Sequence, residues 1–141
     1  MARIFKPRIA TEEEIILLGF SPKSLACPCC GACRVDLSLL QRIRGFLDTM
    51  SWSPNRISSC CRCWSHHVAI YKRIYPEDWQ KHIPYHSLHL ITDAEGNELV
   101  AQAMDIISLE NPRVGGGWKG GYHYYPAGHV LHLDIGRERR W

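Results

Sequence analysis

The chain has 141 residues, with 17 Lys and Arg against 14 Asp and Glu, 45% hydrophobic residues and 22% charged residues. This is the composition of one ordinary folded domain, and it excludes a disordered, collagen-like or coiled-coil chain. The formal net charge is only +3, and no basic stripe accompanies it, so we expect no nucleic-acid partner. The nearest approach to a basic cluster is a predicted solvated tail formed by Arg137, Arg139 and Arg140.

No segment approaches the roughly 20 apolar residues that span a bilayer, and the N-terminus lacks the apolar core of a signal peptide. We therefore expect a protein that is made in the cytoplasm without a signal peptide and has no membrane contact. We also expect a monomer. Action outside the cell would require release by another protein, as in phage lysis. The seven cysteines are an odd number, which favours reduced thiols over a disulfide framework.

The first half of the chain has helical patterns. Residues 11–18 predict a short helix with Thr11 as its N-cap and acidic residues in the first turn. Asp36 caps a longer predicted helix with an apolar stripe at three- and four-residue spacing, formed by Leu39, Leu40, Ile43, Leu47 and Met50. Residues 56–60 then predict a strand, and residues 64–74 predict a helix that ends before Pro76.

The second half of the chain has strand patterns. Residues 87–107 are rich in Leu, Ile and Val around the turn sequence at 93–97, which predicts a hairpin. The glycine run at 115–117 precedes a second predicted hairpin, with strands over 122–125 and 129–135 joined by 126–128. Helices followed by antiparallel strands predict an α+β fold, with N-terminal helices packed on a small antiparallel sheet. We expect a single domain over residues 1–141, of which 1–20 form a lead-in.

The cysteines form two clusters, one at Cys27, Cys29, Cys30 and Cys33 and the other at Cys60, Cys61 and Cys63. Two-residue spacers within the first cluster are compatible with a zinc knuckle, for which Cys60 or Cys63 could supply the remaining ligands. Small buried thiols together with a few exposed ones are the simpler interpretation.

The strongest chemical pattern comes from three segments predicted to be β structure, which carry His89, Asp105 and His132. Two imidazoles and one carboxylate leave a fourth tetrahedral position open, which is typical of a catalytic zinc site and points to hydrolysis. Alternation in a strand puts His132 and Asp134 on one face, roughly 6.6 Å apart along the backbone. His129 falls on the other face unless the chain bends there.

At these residues the sequence resembles the zinc D-alanyl-D-alanine carboxypeptidases and the phage L-alanyl-D-glutamate endopeptidases, which cut peptidoglycan stem peptides. That family has an Arg after a Ser-rich strand, then Ser-x-His-x-x-Gly-x-Ala-x-Asp, then His-x-Asp near the end. Here residues 58–63 resemble the first segment, and the segments at His89, Asp105 and His132 resemble the others. The similarity covers residues 20–141 and is highest from Gly117 to the end, as in a small single-domain subfamily.

The resemblance implies the hedgehog-like zinc peptidase fold and Zn²⁺ bound by His89, Asp105 and His132. It also implies that Arg62 holds a carboxylate or a polarised carbonyl of the substrate, a role that suits a planar and permanently charged guanidinium. A surface salt bridge is the simpler interpretation of Arg62. Trp118 and residues 122–125 could line a substrate groove, or equally could pack on the sheet.

The sequence departs from the family pattern in two places. His89 and Asp105 enclose fifteen residues where the family has six, as though a hairpin had been inserted, and His86 is the alternative ligand to His89. The acidic general base of many relatives is replaced by His129, whose imidazole can accept a proton near neutral pH. His123 and Glu110 are weaker candidates for the base, and Asp134 is expected to support His132.

These observations predict a zinc metallopeptidase acting on a peptidoglycan peptide. The sequence leaves open which bond is cut. One alternative keeps the fold and the zinc without the reaction, as a peptidoglycan-binding or structural protein. A second alternative is an interaction module built on zinc bound by the cysteine clusters.

Overall fold

The computed structural model describes residues 7–112 and 117–136, and the backbone of 139–140. Within these residues the chain is a mixed α/β structure of five helices and a sheet with four antiparallel strands and a short fifth strand. Two residues of the predicted glycine run, Gly115 and Gly116, and Arg137 of the basic tail lie outside the described residues.

The helices are α1 (Glu12–Leu17), α2 (Pro22–Leu25), α3 (Leu37–Met50), α4 (Trp64–Ile74) and α5 (Trp79–His82). The three predicted helices are confirmed, whereas the single-turn helices α2 and α5 were not predicted. Helix α1 begins with a capping box, in which the Thr11 hydroxyl accepts from Glu14 N and the Glu14 carboxylate accepts from Thr11 N. Two otherwise unpaired N–H groups are satisfied in this way.

Helix α3 is the main helix of the core. The Asp36 carboxylate accepts from Ser38 N at 2.9 Å, as predicted for its N-cap. The predicted apolar stripe is fully buried except at its last residue, Met50, which is half-buried. Burying the four remaining side chains is worth about 1.5–3 kcal/mol each by transfer free energy, so this face anchors the helix.

The strands are β1 (Ile57–Ser59), β2 (Ala103–Ile107), β3 (Gly121–Tyr125), β4 (Val130–Asp134) and β5 (Arg139–Arg140). Their order in the sheet is β1-β2-β4-β3-β5, and every neighbouring pair is antiparallel except β3 and β5. The predicted hairpin of β3 and β4 is confirmed, with a 3-10 turn at Pro126–Gly128. The predicted strand at 56–60 is β1.

The predicted hairpin over 87–107 is confirmed only next to its turn, where Leu99 N donates to Ile91 O at 2.9 Å. Only Ala103–Ile107 is a strand, and His89 lies in a turn instead of a β segment. A single bridge, between Thr92 and Glu98, closes the turn at 93–97. The physical reason is that the flanking backbone pairs with other segments: Ile91 N donates to Arg62 O at 3.0 Å, and Ala101 N donates to Arg34 O at 2.7 Å.

Strand alternation gives the sheet two different faces. One face contributes apolar side chains to the core beside α3, among them Met104, Ile106, Leu131 and Leu133, which are all fully buried. The opposite face carries polar side chains from the three central strands β2, β3 and β4, namely Asp105, His123, His132 and Asp134. This second face is where chemistry is possible.

Among the helices of the described residues, none has the length and apolar character needed to cross a bilayer.

Candidate metal centre

Two of the predicted ligands are neighbours across two central strands. Asp105 of β2 lies directly opposite His132 of β4 in the antiparallel register. Because opposite residues point to the same face of a sheet, their side chains meet, and His132 Nδ1 lies 3.0 Å from Asp105 Oδ1. The sheet register therefore places two of the three predicted ligands, Asp105 and His132, next to each other.

The third predicted ligand, His89, is brought to the sheet by a turn. Arg62 N donates to His89 O at 2.9 Å, and Gln102 N donates to Leu88 O at 2.7 Å. The second hydrogen bond joins the residue before His89 to the residue before β2, so it closes the loop between them. The result is that His89 Nε2 lies 3.1 Å from Asp105 Oδ1, and the His89 side chain is buried.

The second nitrogen of each imidazole has an acceptor. His89 Nδ1 donates to the carbonyl oxygen of Cys60 at 2.8 Å, and His132 Nε2 donates to Asp134 Oδ2 at 2.8 Å. These hydrogen bonds leave His89 Nε2 and His132 Nδ1 to face Asp105. Histidines that bind metals are usually oriented in this way by their second nitrogen.

The electrostatics of the cluster also favour a cation. Burial alone would lower the pKa of His132, but the carboxylates of Asp105 and Asp134 raise it to about 9. The imidazoles of His89 and His132 hold the pKa of Asp105 well below its usual range in spite of its burial. At neutral pH the metal-free cluster therefore keeps a proton between the ligands, and a metal would replace that proton.

One ligand atom from each of His89, Asp105 and His132 lies within 4.8 Å of the other two, so the three residues could hold a metal ion. The alternative ligand, His86, lines the same cavity but is not part of this group. Asp134, expected from the sequence to support His132, makes that contact. Its other oxygen, Oδ1, accepts from Gly121 N at 2.9 Å and from Gly136 N at 3.0 Å.

Arg62 lies beside the cluster and is mostly buried. Its Nη2 is 3.9 Å from Asp105 Oδ2, and its Nη1 donates to His67 Nδ1 at 3.3 Å. Nη2 is also 3.4 Å from the hydroxyl oxygen of Ser59. Its Nε is buried and has no hydrogen-bond acceptor among the described residues. Arg62 is thus held at the site with hydrogen-bonding capacity to spare.

The cluster and Arg62 line a cavity of about 630 Å³. Three tyrosines, Tyr71, Tyr85 and Tyr125, also line it. A volume of this size is within the range of small-molecule and peptide pockets. One concave surface therefore combines the three possible metal ligands, a guanidinium and aromatic side chains.

Other predicted residues lie elsewhere. His129 is exposed in the left-handed conformation (φ 53°) at the start of β4, which is the bend that the sequence left open, and it is not among the residues lining the cavity. Glu110 is exposed as well, outside that lining. His123 lies opposite His132 on the site face, where burial and the His132 charge lower its pKa.

The aromatic residues predicted for a groove divide between the two faces of the sheet. Trp118 is buried, packs edge-on against Phe46 and donates from Nε1 to Asp134 O at 3.0 Å. Tyr122 and Tyr124 pack against the core, whereas Tyr125 lines the cavity. Core packing is therefore the correct interpretation for three of these residues.

His67 is a functional candidate that the sequence reasoning missed. It is completely buried on α4, where Nε2 donates to Pro84 O at 2.9 Å and Nδ1 accepts from Arg62. Its position three residues after Trp64 and four before Tyr71 is a helical spacing that could have placed it on the inner face. Its contact with Arg62 has no signal in the sequence.

Similarity to known proteins does not identify the chain. No model of a protein family, no curated protein and no solved structure matches it. Its function is inferred from the geometry and chemistry of the site.

Proposed function

We propose that this protein is a zinc-dependent peptidase that hydrolyses an amide bond in peptidoglycan stem peptides. The observation that carries the proposal is the convergence of His89 Nε2, Asp105 Oδ1 and His132 Nδ1 in a cavity, within 4.8 Å of one another. Three protein ligands of this composition leave one tetrahedral position for water or substrate, which distinguishes catalytic zinc sites from structural ones.

The donor set fits zinc. Imidazole nitrogen suits Zn²⁺, whereas Mg²⁺ and Ca²⁺ prefer oxygen ligands alone. Both imidazoles are oriented by acceptors, Cys60 O and Asp134 Oδ2, so His89 Nε2 and His132 Nδ1 are directed at the site before any metal binds. When bound, zinc supplies a Lewis acid that polarises a carbonyl and makes water a better nucleophile at neutral pH.

Arg62 is the residue that we assign to substrate binding. A guanidinium pairs well with a carboxylate or a carbonyl oxygen, and it stays charged at any physiological pH. His67 and Ser59 hold two of its nitrogens, so the side chain is ordered before substrate arrives. The sequence resemblance to peptidases of the bacterial cell wall supports a stem peptide as the partner of this guanidinium.

The proton acceptor is the least defined part of the proposal. Both described carboxylates of the cavity wall are engaged, Asp105 with the two imidazoles and Asp134 with His132. His129 stays a prediction for this role, and His86 is an exposed imidazole that lines the cavity. His86 and His129 are replaced by Ala in separate variants. The variant that loses the acidic limb of the pH–rate profile lacks the residue that acts as the base.

The engagement of both carboxylates also supports a second candidate function, in which the same cavity binds zinc and peptide without hydrolysis. This candidate and the peptidase share the ligand set and Arg62. They differ only in whether a bound stem peptide is cut.

The experiment combines zinc analysis with incubation of the zinc-loaded protein and soluble peptidoglycan fragments. We expect zinc bound through nitrogen and oxygen in X-ray absorption spectra and a new peptide terminus in the products. His132→Ala should lose both, and Arg62→Lys should keep the zinc but lose at least tenfold in kcat/KM. His82→Ala, at an exposed histidine paired with Asp78, is the matched control.

Two outcomes decide against hydrolysis. Zinc bound through nitrogen and oxygen with peptide binding but no cleavage would identify the second candidate function. Absence of any zinc bound through nitrogen and oxygen would reject both.

A further inference from the structure

Three cysteines meet at a second position that the proposed reaction does not use. Cys27 and Cys30 lie after α2, and Cys63 is the N-cap residue of α4. Their sulfur atoms all lie within 4.8 Å of one another. Zinc–sulfur bonds of about 2.3 Å place two tetrahedral ligands about 3.8 Å apart, so only small movements separate this cluster from a metal site.

The loop carrying the first two thiols is a tight turn. Gly31 N donates to Cys27 O at 2.8 Å, and Cys27 N donates to Ala32 O at 2.8 Å. Gly31 has φ +77°, which favours glycine. The turn lets two sulfurs separated by two residues face the same point.

Backbone N–H groups point at these sulfurs. Cys63 N donates to Cys27 Sγ at 3.3 Å, and His66 N donates to Cys63 Sγ at 3.4 Å. Such donors stabilise a thiolate, which is the form of cysteine that binds metal.

Cationic side chains are also present. Arg62 and Arg73 line the same cavity as Cys27. Positive charge near a cluster of thiolates offsets its negative charge. A fourth thiol, that of Cys29, is exposed and lies one residue before Cys30, outside the group of three.

We propose that Cys27, Cys30 and Cys63 bind one Zn²⁺ as thiolates, with the Cys29 thiolate as the fourth ligand, in a structural site separate from the His–Asp centre. A closed set of four thiolates is typical of structural zinc. Each thiol gives its proton to solvent as its zinc–sulfur bond forms, and no oxidation is involved. The site would join the loop after α2 to the N-terminus of α4, one residue beyond Arg62.

The test counts zinc per chain in four proteins. We expect two zinc ions in the wild type, one in His132→Ala, one in Cys30→Ser and two in the control Cys33→Ser. Cys30 is exposed, so its replacement spares the core, while Cys33 interacts with Cys61 and is not part of the thiol group. The thiolate site is tested independently of the proposed reaction, because His132→Ala removes the His–Asp centre and leaves the thiols unchanged.

Spectroscopy tests the ligands directly. Cobalt bound to His132→Ala should show strong sulfur-to-metal charge-transfer bands that disappear when Cys30→Ser is added. Cadmium NMR of His132→Ala should report four sulfur ligands, and three after Cys29→Ser is added.

A wild-type protein that binds no metal through sulfur would overturn the proposal, and so would a disulfide among these cysteines. If Cys30→Ser fails to fold, alkylation of the wild type decides the question. Zinc should then protect Cys27, Cys29, Cys30 and Cys63 from alkylation, and equal labelling with and without zinc would count against the site.

Discussion

A carboxylate two residues beyond His132 decides which nitrogen of that imidazole is left for a metal. Asp134 Oδ2 takes the Nε2 proton, and Oδ1 accepts from the backbone of Gly121 and Gly136, so the carboxylate itself is fixed. A Cβ at Gly120 would clash with Asp134 O, so glycine is required where the chain enters β3.

Asp134→Asn should weaken zinc binding by roughly 10- to 100-fold. An amide nitrogen opposite Nε2 donates instead of accepting, which favours the tautomer with its proton on Nδ1, where the metal would bind. Competition with a chelator of known affinity measures the change. Asp78→Asn, in the exposed pair with His82, is the control, and equal affinities of the two variants would show that Asp134 does not orient His132.

His67 makes stability depend on pH in the acid range. Burial lowers its pKa, the hydrogen bond to Pro84 O opposes this, and the Arg62 charge lowers it further, to about 4. The unfolded chain therefore binds this proton first as the pH falls. The contribution of neutral His67 to the free energy of unfolding is complete above pH about 6.5 and is lost as the pH falls from about 6.5 to about 4.

We expect His67→Gln to remove this dependence. Between pH 6.5 and 4 the wild type should lose about 3 kcal/mol of unfolding free energy more than the variant does, since 2.5 pKa units at 1.36 kcal/mol each give that difference. Urea unfolding at several pH values measures it. His82→Gln, at an exposed position, should follow the wild type, and parallel curves for wild type and His67→Gln would contradict the assignment.

Among the elements, capping and periodicity were sufficient for the three longer helices, α1, α3 and α4. Thr11 and Asp36 cap α1 and α3 as expected, and the apolar spacing of α3 gave its buried face. The segment at 87–101 was mispredicted because it pairs with itself only next to the turn, where Leu99 N donates to Ile91 O, whereas the backbone on either side pairs with Arg62 and with residues 34–36. Alternation correctly placed His132 and Asp134 together, but it had no means of placing His89.

The turn at residues 93–97, between His89 and Asp105, should be dispensable for metal binding. The Thr92–Glu98 bridge is antiparallel, and a two-residue Asn-Gly turn suits such a pair. Replacing residues 93–97 by Asn-Gly should change zinc affinity at the His–Asp centre by less than about threefold, because shorter loops cost little closure entropy. Zinc titration of this variant, with His89, Asp105 and His132 retained, measures the affinity. A tenfold loss of affinity would mean that the turn positions His89.

At the scale of the whole molecule, Arg62 and Cys63 are adjacent residues that serve two different clusters. Arg62 contacts Asp105 of one cluster, and Cys63 belongs to the other. The segment between β1 and α4 therefore connects the sheet, the loop after α2 and the cavity. Metal binding at either cluster should stabilise the same tertiary contacts.

Removal of zinc should consequently lower the stability of the entire fold. Free zinc at 100 times each Kd adds about 2.7 kcal/mol per site, or about 5 kcal/mol for two sites. His132→Ala should keep about half of this gain. Thermal unfolding with zinc and with chelator measures it, and a wild-type Tm that does not respond to zinc would contradict both metal proposals.

Local sequence signals were enough for the three longer helices and the β3–β4 hairpin, because caps, helical spacing and strand alternation are short-range effects. His89, Asp105 and His132 were predicted from their residue types and the family resemblance rather than from local structure, since His89 lies in a turn. The long-range partners came from the tertiary structure: Cys60 O for His89, His67 for Arg62, and Cys63 for the thiols of Cys27 and Cys30. These contacts depend on backbone pairing between distant segments, which local propensity does not specify.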